Sequence, residues 1–350
     1  MRWSGASFDL KCALNWVKSI VRRVTSAASQ CKSIKTGFSR LYVLACVVSL
    51  LSWAVPPGMV SELCSAWSLQ FAILMGTMLS VLPPRQFWLR GLGVVAIVSC
   101  IMRIAPFYYS LEVGQASVAR YAGSGDIRLV ALNVLRVSPM HNSVGRFLQR
   151  QDADVIFINE LTPAWQAGLQ PYLAAYPYRL EDSREGDFGL GIYSRLPLIE
   201  AKVLRHTLLS GRASNPLIAA TINQGQRSLF LVGAHLQPPG TPAEYAFRNE
   251  ELEAIASLVA KASPPAIVLG DLNTSSLSSW FQGFLKRHRF RDARVGFGVL
   301  PTAPTFFPFA MVPIDGAFVT RGVSVRAMRT GAFVWSDHLP VILDIRYGLE

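Results

Sequence analysis

At 350 residues the chain is long enough for two domains, and its formal net charge of +12 is unevenly spread, with +9 on residues 1–120 and +3 on residues 121–350. A basic excess concentrated in an N-terminal third that also holds long apolar runs is explained by membrane topology rather than by a nucleic-acid partner. All five cysteines (Cys12, Cys31, Cys46, Cys64, Cys100) precede residue 101, which excludes an internal disulfide from the later domain, and no CxxC or Cys/His cluster offers a zinc site.

Residues 1–40 hold eight Lys and Arg against one acid, Asp9, and are expected to form a basic, partly helical cytoplasmic tail. Three apolar runs follow, at about 41–60, 63–82 and 87–109, each expected to be a transmembrane helix. The first two are uncharged and approach the roughly 20 residues a helix needs to cross a bilayer. The third is interrupted by Arg90 and Arg103, which would have to snorkel to opposite interfaces. Pro56-Pro57-Gly58 and Pro83-Pro84 punctuate the runs where turns are expected. A cleaved signal peptide is disfavoured, because the first run begins late and two more follow it. Three spans with the basic tail inside obey the positive-inside rule. They predict an integral protein of a bacterial inner membrane with its C-terminal domain periplasmic; loss of the third span would reverse that placement. Residues 110–125, with Gly114, Gly123 and Gly125, read as a linker, and a catalytic domain is expected over 126–350.

In that domain Ile127–Val134 is strand-like and delivers Asn133, either a turn cap or a neutral ligand for a phosphate oxygen. A helix is expected over 143–150, then a second strand, Val155–Ile158, ending in Asn159-Glu160. A carboxylate at the end of so apolar a strand is costly to desolvate unless a cation offsets it. Glu160 is therefore a candidate metal ligand, or else the partner of an arginine. Further strands are expected at Phe188–Ser194, Asn215–Asn223 and Ser228–Ala234, the last ending in His235, either a hydrogen-bonded structural residue or a site member. A helix over 243–261 precedes AIVLGDLN, residues 266–273. This buried strand ends abruptly at Gly270, leaving Asp271 and Asn273 two residues apart. If the chain stays extended they point the same way and can share a phosphate, a water or a hard cation; the local alternative is an Asx turn. A helix over 279–286 runs into a basic cluster (Lys286, Arg287, His288, Arg289, Arg291, Arg294), read as a solvated helix end or as a polyanion patch. Asp315 opens another strand, and Ser336-Asp337-His338 leads into the last, Val341–Ile345.

Taken in order, Asn133-Val134, Asn159-Glu160, GIYSR at 191–195, AHL at 234–236, GDLN at 270–273, IDGAFV at 314–319 and SDH at 336–338 resemble the endonuclease/exonuclease/phosphatase superfamily over most of residues 126–346. The resemblance implies a four-layer α/β/β/α sandwich of two packed mixed sheets, here preceded by an all-α transmembrane segment. By position, Asn133 and Glu160 look like the entry-strand phosphate and metal ligands, and His235 like the first catalytic histidine. Asp271 and Asn273 look like the pair that positions the attacking water and the phosphate. Asp315 resembles the carboxylate that orients the final histidine, Asp337 a further metal ligand, and His338 the second catalytic histidine. Asn159 departs from the pattern, standing where the family usually has Gln. The implied reaction is water attack on a phosphodiester or phosphomonoester, with Mg²⁺ or Mn²⁺ on Glu160, Asp337 and Asn133, since oxygen ligation suits a hard ion. A lipid head group is the expected substrate, because tethering raises the effective concentration of membrane substrates. A nuclease is the alternative, weakened by the near-neutral charge of the domain. A catalytically inactive binding protein is the third reading. The lipid bilayer is an expected partner, and no segment points to a protein partner.

Overall fold

The computed structural model describes residues 37–54, 57–109 and 126–348. Most of the basic tail and the whole of the expected linker lie outside the described residues. The chain divides into two compact units, the first ending at Arg103.

The N-terminal unit is helical: α1 (Gly37–Ala54), α2 (Met59–Ala66), α3 (Ser68–Val81) and α4 (Phe87–Ile104). Among the described residues one helix, Phe87–Phe107, is long and apolar enough to cross a membrane, or two if the bent pair α2 and α3 counts as one span. Three were expected. The first run is shortened because its apolar helix, Ser39–Trp53, ends ahead of Pro56-Pro57, and the second is bent by 55° between Ala66 and Ser68. The helix that passes by itself is the run whose two arginines made it look weakest. Arg90 donates through Nη1 to the carbonyls of Leu79 and Leu82 at the end of α3 (3.1 and 2.6 Å). Arg103 donates to the carbonyl and hydroxyl of Ser52 near the end of α1 (3.3 and 3.1 Å) and lies 4.3 Å over the Trp53 ring. Instead of reaching for opposite interfaces, each arginine serves carbonyls at a neighbouring helix end, where partners within the helix run out.

Among the described residues the second unit contains twelve strands: β1 (Asp126–Asn133), β2 (Val155–Asn159), β3 (Tyr178–Asp182), β4 (Leu190–Ser194), β5 (Leu198–Leu204), β6 (Leu217–Gln224), β7 (Arg227–His235), β8 (Ala266–Asp271), β9 (Arg291–Asp292), β10 (Asp315–Val319), β11 (Val323–Thr330) and β12 (Val341–Tyr347). They form two six-stranded sheets, ordered β11-β12-β1-β2-β4-β3 and β5-β6-β7-β8-β10-β9. β1 and β2 run parallel, as do β7 and β8, and every other neighbouring pair is antiparallel.

The unbroken apolar runs of β1, β2 and β8 follow from cover on both faces. One set of side chains, including Leu129, Phe157, Leu231, Ile267 and Leu343, fills the core between the sheets. The alternate set faces outward to helices. Leu132 and Ile156 meet the layer of α5 (His141–Gln151) and α6 (Pro163–Leu169) through Phe147 and Trp165. Val232 and Val268 meet α7 (Pro242–Val259) and α8 (Ser279–Arg287) through Leu252, Ile255 and Phe284. The fold is thus the expected α/β/β/α sandwich of two mixed sheets.

Strand register collects the polar strand ends. In the first sheet Asn133 pairs with Asn159, one residue before Glu160. In the second, His235 pairs with Asp271 and Asp271 with Asp315. Gly270 makes the pairing of His235 with Asp271, between β7 and β8, possible. Its φ is +134°, and a Cβ there would lie 2.1 Å from the Ala234 carbonyl oxygen of the neighbouring strand. We expect Gly270→Ala to cost about 2 kcal/mol or more, from backbone strain and overpacking together, read as a lower thermal unfolding midpoint. An unchanged midpoint would contradict this account of the glycine.

Candidate active site

The polar strand ends of the two sheets are joined by side-chain amides. Asn133, 1% exposed at the end of β1, donates through Nδ2 to Glu160 Oε1 (2.9 Å) and to Asp271 Oδ2 (3.2 Å). Its oxygen accepts from the Leu135 backbone (3.0 Å), so Asn133 faces these carboxylates as a donor, not as an oxygen ligand. Asn159 crosses between the sheets in the same manner. Its Oδ1 accepts from the Asp271 backbone N–H (3.2 Å) and its Nδ2 donates to the Ala234 carbonyl (3.1 Å). The short amide, where a Gln was the usual pattern, therefore finds two backbone partners in the opposite sheet.

Asp271, Asp315, His235 and His338 form the buried part of the site. His338 Nδ1 is 2.7 Å from Asp315 Oδ2 and 3.8 Å from Asp271 Oδ2. His235 Nε2 approaches the same Asp271 oxygen at 3.5 Å, while its Nδ1 meets the Asp187 carbonyl oxygen at 2.9 Å. Burial alone would pull the His338 imidazolium down, but the Asp315 and Asp271 carboxylates outweigh it and raise the pKa to about 10. Burial and the Asp315 charge push Asp271 above the ordinary carboxylate range, opposed by the two histidines. These groups share charge: a protonated His338 between two carboxylates is the state this geometry favours.

Asn273 does not continue the strand. β8 stops at Asp271, and Asn273 adopts φ +47° with its backbone N–H donating to Asp271 Oδ1 (3.1 Å). The Asx turn therefore forms, and the extended geometry that would have aimed both side chains the same way does not. Asn273 Nδ2 donates to the Leu236 carbonyl (2.8 Å). From α7, the buried Arg248 donates to the Asn273 carbonyl (2.6 Å).

Glu160 stands apart from this proton-carrying group. It is half-buried, at φ +62°, a left-handed backbone that a Glu adopts at a cost. Its oxygens accept one hydrogen bond each, from Asn133 Nδ2 and from the Arg136 backbone N–H (2.8 Å). A carboxylate oxygen has two lone-pair directions, so each keeps one for another partner. Among the described residues no Lys or Arg side chain pairs with Glu160; the Arg136 guanidinium is taken by Asp187. Asp337, also half-buried, lies 3.5 Å from Ser336 Oγ on the loop that carries His338.

Asp271, Asp315 and His338 could also be read as a metal group, since each offers a ligand atom within 4.8 Å of the others. That reading fits less well. His338 Nδ1 already meets Asp315 Oδ2 at 2.7 Å, a hydrogen bond that a metal on that nitrogen would have to displace. Glu160, a carboxylate with free lone pairs and no cationic side chain, fits a hard divalent ion better.

Several residues that hold the site went unassigned in the sequence. Ser336 Oγ donates to the Asn133 carbonyl (2.6 Å) and accepts from the His338 backbone (3.1 Å), tying the last loop to β1; its place two residues before a site histidine is the usual signal of such a turn. Arg294 was grouped with a solvated basic cluster. It is in fact 2% exposed, and its guanidinium donates to the Asp315 carbonyl and to Ser276 Oγ. Nothing in its surroundings along the chain separates it from the exposed Lys286, Arg287, Arg289 and Arg291.

A family model described as Endonuclease/Exonuclease/phosphatase family matches residues 130–338, more than half of the chain. No curated protein matches the chain significantly. Among solved structures, the endonuclease/exonuclease/phosphatase from Beutenbergia cavernae is similar at 21% identity, covering 64% of this chain and 72% of that one, with a TM-score of 0.52. D. rerio TDP2 complexed with a single-strand DNA product is 16% identical over 63% of this chain and 99% of its own, TM-score 0.53. The human Nocturnin catalytic domain with bound sulfate is 16% identical over 64% and 95%, TM-score 0.50. At such identities the likeness is one of fold.

The loop after β7 is held from behind by Glu251 of α7, whose buried carboxylate accepts from the backbones of Asn215 (2.8 Å) and Gln237 (2.9 Å). Burial pushes its pKa from 4.5 up to about 7, against the pull of those two N–H groups and of Arg248. A carboxyl whose folded pKa is raised binds its proton more tightly in the folded state. Its contribution is complete below about 4.5 and is lost as pH rises to about 7. Wild type should therefore lose on the order of 3 kcal/mol relative to Glu251→Gln across that window, measured as the difference between their denaturation curves at several pH values. A difference that does not vary with pH would refute the linkage.

Proposed function

The chain belongs to the endonuclease/exonuclease/phosphatase family, and from that premise we propose that it is a membrane-tethered, divalent-metal-dependent hydrolase of phosphoester bonds. The observation that carries the proposal is the separation of two kinds of charge at one rim. The Asp271–Asp315–His338 group carries a proton, and Glu160, linked to it by Asn133, keeps its lone pairs for a cation.

Hydrolysis of a phosphoester needs an aligned water, a proton for the leaving group and relief of charge on the non-bridging oxygens. Glu160 would hold Mg²⁺ or Mn²⁺, with Asp337 as a second carboxylate; the bound ion supplies charge neutralisation on the phosphate. Asn133 keeps Glu160 and Asp271 at a fixed spacing and is assigned no metal contact. Asp271, with a pKa above the ordinary carboxylate range, is suited to accept a proton from the attacking water. Asn273, on the same turn, lies beside it to orient the water or the phosphate. His338, kept protonated by Asp315, is suited to donate to the leaving oxygen or to the transition-state charge. His235, its Nδ1 held by the Asp187 carbonyl, turns its Nε2 toward Asp271 on the other side of the site.

Tethering supports a lipid head group as the substrate. A single crossing by Phe87–Phe107, with the basic tail cytoplasmic, would make the domain extracytoplasmic, whereas a second crossing by the bent pair would return it to the cytoplasm. The D. rerio relative bound to a DNA product gives a nuclease its precedent. Against that reading, Arg287 and His288 of the basic cluster pair with Glu253 (2.8 and 2.7 Å), and Arg294 is turned inward.

Full-length protein in detergent, assayed with Mg²⁺ against phospholipids, aryl phosphates and single-stranded DNA, tests this directly. We expect turnover that is abolished by EDTA and restored by Mg²⁺ or Mn²⁺. His338→Ala and Asp271→Ala should each lower kcat by about 10²-fold or more. Glu160→Gln should raise the metal concentration needed for half-activity by about 10-fold or more. Near-normal turnover in the first two variants would reject their roles, and cleavage of DNA alone would overturn the lipid preference.

A further inference from the structure

Five large aromatic side chains stand out of the catalytic domain beside this rim. Phe306, Phe307, Phe309, Phe333 and Trp335 are 53, 69, 95, 44 and 54% exposed. They come from two loops, residues 302–313 and 331–338, and the loops share one surface: Phe306 contacts Phe333 (ring centroids 6.2 Å apart) and Phe333 contacts Trp335 (5.3 Å). Both loops are fastened to the site. The Thr305 backbone donates to the Asp337 carbonyl (2.8 Å) and its hydroxyl to the Ser336 carbonyl (2.6 Å). Thr302 Oγ1 accepts from the Asp315 backbone (3.1 Å), and the Thr302 carbonyl accepts from Leu339 (2.8 Å).

Rings of this size each bury about 150–250 Å² when packed; by their exposed fractions these five leave on the order of 500 Å² of aromatic surface in water, near the upper limit for an ordinary monomer surface. Trp335 adds a second cost. Its φ is +68°, in the left-handed region that bulky side chains avoid, and the strained backbone holds the ring outward, not in a core. Strain without a packing return points to work done by the ring outside the fold.

Charge decides between the surfaces that could cover the patch. No Asp, Glu, Lys or Arg occurs from Val295 through Ile314 or from Thr330 through Ser336. A platform for single-stranded nucleic acid interleaves its aromatic rings with cations that track the phosphates, whereas a lipid interface takes up Phe and Trp with none. The same chain carries a helix, Phe87–Phe107, long and apolar enough to cross a membrane. We infer that the five aromatic side chains are a second membrane contact, which dips into the lipid interface and turns the Asp315–His338 rim toward the head groups. What the contact is for rests on the phosphoesterase reading; whether it exists does not.

The test uses full-length protein reconstituted in phosphatidylcholine nanodiscs that contain a phospholipid with a diazirine on its acyl chain. After irradiation and trypsin digestion, label is expected on peptides 295–321 and 330–346 as well as on the apolar helices. Phe307→Ser combined with Phe309→Ser, both at exposed positions, should lower the label on peptide 295–321 by about tenfold, the factor that loss of a buried ring represents in partitioning. Label confined to residues before 110 in the wild-type protein overturns the inference. So does labelling of these two peptides by a photoreactive single-stranded oligonucleotide in place of lipid. Hydrolysis of a soluble aryl phosphodiester is followed in the same preparation: its absence counts against the phosphoesterase reading alone, because labelling requires no turnover.

Discussion

A carboxylate withdrawn from water is the constraint on which the site depends. Asp271 is 2% exposed and Asp315 3%, adjacent in strand register, and two such charges cannot stand side by side in a dry interior without compensation. The fold supplies three kinds of relief. His338 carries a proton between them, the Asn133 amide donates to the Asp271 carboxylate, and the Arg294 guanidinium, donating to the Asp315 backbone carbonyl, brings a positive charge close behind. Once these groups are spent, Glu160 is left with backbone and amide donors only. The division between a proton-carrying group and a cation-accepting carboxylate follows from that distribution.

Two packed sheets hold this arrangement because their polar ends meet at one edge while everything beneath is apolar. The core between the sheets fixes their separation, and Asn133 and Asn159 reach across it from the first sheet to the second. Local backbone strain is spent at the same edge, with Glu160, Gly270 and Asn273 all at positive φ. Such conformations persist only where the surroundings over-determine them. Here the surroundings are the hydrogen bonds from Asn133 and the Arg136 backbone to Glu160 and from Arg248 to the Asn273 carbonyl, together with the close approach of Gly270 to Ala234.

The central strands were legible in the sequence because cover on both faces writes an unbroken apolar run, as in LVAL of β1 or AIVLG in β8. The four edge strands, β3, β5, β9 and β11, were not. β3 reads YRLED, has no buried residue and resembles a loop; β5 and β11 carry bulges that break their alternation; β9 is two residues long. A strand paired on one side only can be polar or irregular, and periodicity then fails. At the site, the residues that carry chemistry announced themselves as polar ends on apolar runs. Their supports did not. Arg294, Arg248 and Glu251 are buried charges whose partners are backbone groups or side chains up to 36 positions away, and no local pattern marks an ion that a distant segment will enclose. In the helical unit, Arg90 and Arg103 weakened a run that proved by itself long and apolar enough to cross a membrane, since their partners lie on other helices.

The central claim is that the cation belongs to Glu160 and the proton to the Asp271–Asp315–His338 group. A crystal structure of the protein soaked in Mn²⁺, read by anomalous scattering, measures this most directly. The account predicts a manganese peak at bonding distance from the Glu160 carboxylate, with the hydrogen bond from His338 to Asp315 intact. A peak bonded to His338 Nδ1 with Asp271 and Asp315, leaving Glu160 bare, would contradict it.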